Sequence, residues 1–73
     1  MHPATEELLK FFRSEHLSPR LRAISAPFED LANVLAAKLG GAELTAGLRK
    51  LLEAKDCCVR AALPQLPLPR TAE

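Results

Sequence analysis

The chain has 73 residues, ten Lys and Arg against nine Asp and Glu, and two cysteines. That length makes one domain whose core supplies no more than about 3–5 kcal/mol unaided, so a metal, a disulfide or self-association is expected to assist it. The even charge argues against a general binder of nucleic-acid polymers or of membrane surfaces, which would carry a basic excess.

Cys57 and Cys58 are neighbours, and adjacent cysteines inside a helix cannot close a disulfide without distorting the backbone. They read as small apolar fillers near a helix contact. Neither His2 nor His16 stands at ligand spacing from them, so no metal and no other cofactor is expected. Self-association is what remains. Residues 1–15 lack an apolar signal-peptide core, and no stretch approaches membrane-spanning length. Unpaired thiols without a signal segment fit a reducing cytosol.

In chain order, Thr5 reads as an N-cap with Glu6 and Glu7 where a helix dipole favours negative charge, which predicts a short amphipathic helix over residues 6–15. So short a helix is marginal alone and must dock its Leu8, Leu9, Phe11 and Phe12 edges on something larger. Ser18-Pro19 then gives a cap residue followed by proline at the first helical position. From there Leu21, Ile24, Phe28, Leu31, Leu35 and Leu39 recur at helical steps, predicting a helix over residues 19–39. Pro27 falls inside it. The apolar phase runs on unbroken, so a kink is expected, with the Ala23 carbonyl deprived of its donor. Ala32, Ala36 and Ala37 offer a surface that another helix can approach closely.

Gly40-Gly41 predicts a left-handed C-cap and a tight reversal. Leu44, Leu48, Leu51, Cys58 and Ala62 then mark a third helix over residues 42–63, with Glu43 in its first turn. The fold class is therefore all-α: a short N-terminal helix plus an antiparallel αα-hairpin, assembling as a homo-oligomer. Gly47 on the apolar face of the third helix predicts close backbone contact with the alanine surface of the second. A further edge, Leu52 and Val59, is the expected protomer interface. Lys55 on the apolar line reads as a snorkelling stem. Residues 1–63 form the hairpin domain. Residues 64–73 form a Pro-rich tail, whose Pro64-x-x-Pro67 is too short a signal to assign as a proline-recognition ligand.

No nucleophile–base set, phosphate loop or ligand cluster stands in the sequence, so the chain reads as a binder and not an enzyme. One local excess of positive charge stands out. Lys10, Arg13, Arg20 and Arg22, with His16, are interleaved with Phe11 and Phe12 and opposed only by Glu15. Rings stack on bases and guanidinium forks take phosphate oxygens, so a nucleotide binder would use such a set. A solvated face with its phenylalanines turned inward is the alternative. An antiparallel hairpin would bring Arg60 back beside this cluster.

The third helix carries Glu43, Thr45, Lys50, Leu51, Glu53 and Ala54 in a pattern of glutamate, small hydroxyl residue, then Lys-Leu-x-Glu-Ala. With Phe12, His16, Ile24 and Leu31-Ala32 before it and Arg60-Ala61 after it, this resembles small bacteriophage helical-hairpin sponges. Those proteins sequester the cyclic nucleotide messengers of bacterial antiphage signalling, as anti-CBASS and anti-Thoeris hairpins do. The likeness covers about residues 11–64. It implies a homo-oligomer such as a hexamer, in the host cytoplasm, that holds a cyclic oligonucleotide or a cyclic ADP-ribose-type molecule between protomers without turnover. Phe12 or Phe11 would stack on a base, and Arg60 would match an arginine of a cyclic trinucleotide pocket. Arg13, His16, Arg22 and Ser25 complete the expected ligand-binding set. The family usually has a tyrosine where this chain has phenylalanine, and Lys or Arg where this chain has Ser25-Ala26. A helical interaction protein with an exposed apolar face is the alternative function.

Overall fold

The computed structural model describes residues 1–63, and the Pro-rich tail expected at 64–73 lies outside the described residues. The described chain consists of helices α1 (Pro3–Lys10), α2 (Pro19–Lys38) and α3 (Ala42–Ala62), with no strand among the described residues. The all-α class is as expected. α2 and α3 form the hairpin, and α1 packs against both arms.

α1 begins and ends earlier than its apolar pattern suggests. Its cap is His2, whose Nδ1 accepts from the Ala4 N–H at 3.0 Å, with Pro3 in the first turn. Thr5 therefore sits inside the helix, buried to 4% exposure. The helix closes at Lys10 because the next N–H groups bond three residues back, Phe11 to Leu8 and Phe12 to Leu9, both at 3.1 Å. That tightening drives Phe12 into the core and lets the chain return to Pro19.

α2 starts where Ser18-Pro19 places it, with the Ser18 hydroxyl accepting from the Leu21 N–H at 3.5 Å. It continues through Pro27 to Lys38 as one helix. The reversal differs from expectation. α2 ends on Leu39 in extended conformation, and the positive φ falls on Gly41 (89°), at the cap of α3. The glycine requirement thus belongs to the entry of α3 and not to the exit of α2.

The core is Phe12, Ala32, Leu44 and Leu48, with Leu8, Leu9, Phe28, Leu35, Leu51 and Leu52 packed against it. Burying Phe12 alone contributes about 1.5–3 kcal/mol. On α2 the buried line is Ser25, Ala32 and Ala36, rotated toward small side chains, while Ile24, Leu31, Val34 and Leu39 are exposed. Two helices approach most closely where side chains are smallest, and the larger groups then flank the contact. Ala32 and Ala36 serve as anticipated; Ala37 is exposed.

Leu52 and Val59 are each half-buried, and the more exposed large apolar residues, Ile24, Leu31 and Val34, stand on α2. Two further expectations are corrected. Gly47 is exposed, and a Cβ built there meets no atom within 4 Å, so it makes no close approach inside the protomer. Cys57 and Cys58 are free and exposed, not fillers of a contact. Lys55 does lay its stem along the hairpin, at 13% side-chain exposure, with its ammonium 3.0 Å from Asp56.

Candidate functional site

The aromatic–arginine stretch is split by the early end of α1. Phe11 stands 63% exposed at that turn, whereas Phe12 is fully buried. Phe12 cannot stack on a base, because both ring faces are covered by the core. Of the two rings only Phe11 is exposed. Sequence alone could not choose between these neighbours, since both positions are compatible with one amphipathic turn.

Arg13 is exposed and lines a cleft of ≈ 630 Å³ together with Glu6, Glu7, Lys10 and Glu29. Three carboxylates face this cleft against two cations, a poor setting for a phosphate. Lys10 is already engaged, its Nζ 2.7 Å from Glu7 Oε2. The Lys10 hydrogen bond, and then its charge, hold the Glu7 carboxyl below its ordinary range. A depressed carboxylate contributes stability near neutral pH that fades as pH falls through the depressed value; here the group is fully exposed and the pair is worth little.

Arg22 is spent on the chain itself. Its guanidinium donates to the Glu15 carbonyl at 3.2 Å and the Leu17 carbonyl at 3.0 Å, tying down the loop between α1 and α2. The same loop is fixed by Ser14, 4% exposed, whose hydroxyl donates to Glu29 Oε1 at 2.6 Å. His16 is exposed on this loop. Ser25, expected to face a ligand, is fully buried, and its Oγ has no partner among the described residues. Its burial removes it from any surface site of the protomer, for it lies on the side of α2 that the small residues turn inward.

The antiparallel hairpin does return the end of α3 to the start of α2. Cys58, Ala61 and Ala62 meet Arg20, Ala23, Ile24, Pro27 and Phe28 around an open cleft of ≈ 620 Å³. Ala23 lines it, and its carbonyl lacks the usual donor because Pro27 has no N–H. Arg20, a member of the basic cluster though not of the expected ligand-binding set, is the cation on this wall. The signal was present: Arg20, Ile24 and Pro27 follow at steps of four and three, one side of α2. Arg60 is exposed nearby in sequence, but its guanidinium donates to Cys57 Sγ at 3.4 Å on its own helix. Phe11, Arg13, His16 and Arg60 therefore remain available at the surface, while Phe12 and Ser25 do not.

A second apolar groove, ≈ 520 Å³, opens between the hairpin arms, walled by Leu35, Leu39, Glu43, Gly47, Lys50, Leu51 and Ala54. Glu43, Lys50, Leu51 and Ala54, from the Lys-Leu-x-Glu-Ala stretch and the start of α3, line this groove. Among the described residues no group of three or more His, Cys, Asp or Glu is placed to hold a metal ion, and no helix is long and apolar enough to cross a membrane. Comparison with family models, curated proteins and solved structures finds no match to the chain.

Proposed function

We propose that this chain is a non-catalytic hairpin that self-associates in the cytoplasm of a phage-infected host. There it sequesters a cyclic oligonucleotide or a related cyclic nucleotide messenger at its protomer contacts. The carrying observation is the open groove along α3. Residues with a sponge-like pattern, Glu43, Lys50, Leu51 and Ala54, line it beside the core residues Leu44 and Leu48. Gly47 in that wall leaves space where a second chain can come close. Phe11 supplies the exposed ring, and His16 and Arg60 the surface donors.

The test is the thermal midpoint of the purified protein against cyclic dinucleotides, cyclic trinucleotides and cyclic ADP-ribose isomers. A true ligand at a hundredfold excess over its Kd adds about 2.7 kcal/mol to stability. Phe11→Ala and Arg60→Ala should each lose that gain while keeping the unliganded midpoint. A flat response across the whole panel would reject the ligand reading.

The second reading is a homo-oligomeric interaction protein, favoured by the exposed Ile24, Leu31 and Val34 of α2. It expects a midpoint that rises with protomer concentration and is indifferent to every nucleotide.

A further inference from the structure

The open cleft of ≈ 620 Å³ between the start of α2 and the end of α3 lies where the described chain stops. Ala23, Ile24 and Pro27 form its α2 wall, and Cys58 and Ala61 its α3 wall. Arg20 is the one charged side chain that lines it. α3 ends on Ala62, itself part of this wall, and the exposed Leu63 follows directly. Ten more residues, 64–73, continue the sequence from that point.

The first six of them suit this wall. Pro64-Gln65-Leu66-Pro67-Leu68-Pro69 carries no charge, so it sets no like charge beside Arg20 and buries no ion. Its three prolines lack the N–H that a continued helix needs and favour extended chain. With three residues per turn of such a chain, Leu63, Leu66 and Pro69 share one edge. The reach matches as well. Arg20 to Phe28 spans about 12 Å of helix, and Leu63 to Pro67 covers the same span in extended chain. The wall also has one polar gap, the Ala23 carbonyl, which has no helical donor because Pro27 lacks an N–H. A segment that covers the cleft must satisfy that carbonyl. Gln65 is the first residue past Pro64 with a backbone donor, and its side-chain amide adds two more.

We infer that residues 64–69 of this same chain fold back onto the cleft. Leu66 seats against Ile24 and Pro27, and Gln65 donates to the Ala23 carbonyl. The Pro-rich segment then completes a small core by withdrawing Ile24 from water. Leu31 and Val34 do not line the cleft and stay open for association. The docking is independent of the ligand reading above, which uses the groove along α3.

The neighbouring thiols supply the test. Cys57 and Cys58 are both free and exposed, but only Cys58 lines the cleft. The full-length chain is prepared as Cys57→Ser, which reports Cys58, and as Cys58→Ser, which reports Cys57. Alkylation by N-ethylmaleimide is then timed with and without Leu66→Asp. Leu66→Asp should speed alkylation of Cys58 on the order of fivefold by uncovering it. It should leave the Cys57 rate and the helical circular dichroism unchanged, as should the control Thr71→Ala for both thiols. A Cys58 rate indifferent to Leu66→Asp overturns the docking. So does a rise shared equally by Cys57, which would mean a loosened helix. Protection of Cys58 that deepens with protein concentration would name a second copy as the occupant and also overturn it.

Discussion

Ser14 and Ser25 are both buried hydroxyls, and they have opposite standing. Ser14 donates to Glu29 Oε1 at 2.6 Å, so Ser14→Ala leaves a half-buried carboxylate without its donor. Ser25 Oγ is fully buried and has no partner among the described residues. Removing one member of a made pair costs about 1–3 kcal/mol, and removing an unsatisfied group recovers a similar amount. Ser14→Ala should therefore lower the urea midpoint and Ser25→Ala should raise it. Equal effects of the two would contradict the hydrogen-bond assignment. None of this was legible in the sequence, where both are short polar residues in basic surroundings. The same holds for Phe11 and Phe12. Which ring is inside was decided by where α1 stops, and that depends on tertiary docking rather than on any local signal.

The elements themselves were more readable. Ser18-Pro19 fixed the start of α2, because a capping hydroxyl and a pre-set φ act within one turn. The end of α1 was not readable, since no glycine or proline marks it and its last turn unwinds through bonds to residues three back. The buried side of α2 was misjudged for a different reason. Apolar periodicity weights large side chains, whereas the α2–α3 contact selects Ser25, Ala32 and Ala36. Two glycine substitutions separate local from assembled effects. Gly41→Ala forces a side chain into φ 89° and should cost about 1–2 kcal/mol at any concentration. Gly47→Ala meets no atom within 4 Å in the protomer. It should stabilise the dilute chain by about 1 kcal/mol through helix propensity. If a second protomer seats against that groove, the same change should weaken assembly, which sedimentation velocity would show directly.

At the scale of the molecule, a core of six buried apolar residues, three of them alanine, is thin for 63 described positions. Ile24 (37%), Leu31 (46%), Val34 (48%) and Leu39 (58%) remain open to solvent along α2 and its end. That surface is the reservoir from which association can draw. The midpoint of thermal unfolding should climb with protein concentration, and Leu31→Asp should abolish the climb while leaving α-helical circular dichroism intact at high dilution. A midpoint independent of concentration would mean that the small core suffices by itself.

The position of Phe12 also sets the order in which this chain becomes a protein during synthesis. Its ring packs with Leu44 and Leu48, which are translated more than thirty residues later. Until α3 has cleared the ribosome, α1 and Phe12 have only the small-residue side of α2 to dock on, and a lone helix of eight residues does not persist in water. The core therefore closes only once Leu44 and Leu48 have emerged. A message truncated before the codon for Leu48 would yield a peptide with helix-forming segments but no interior to gather them.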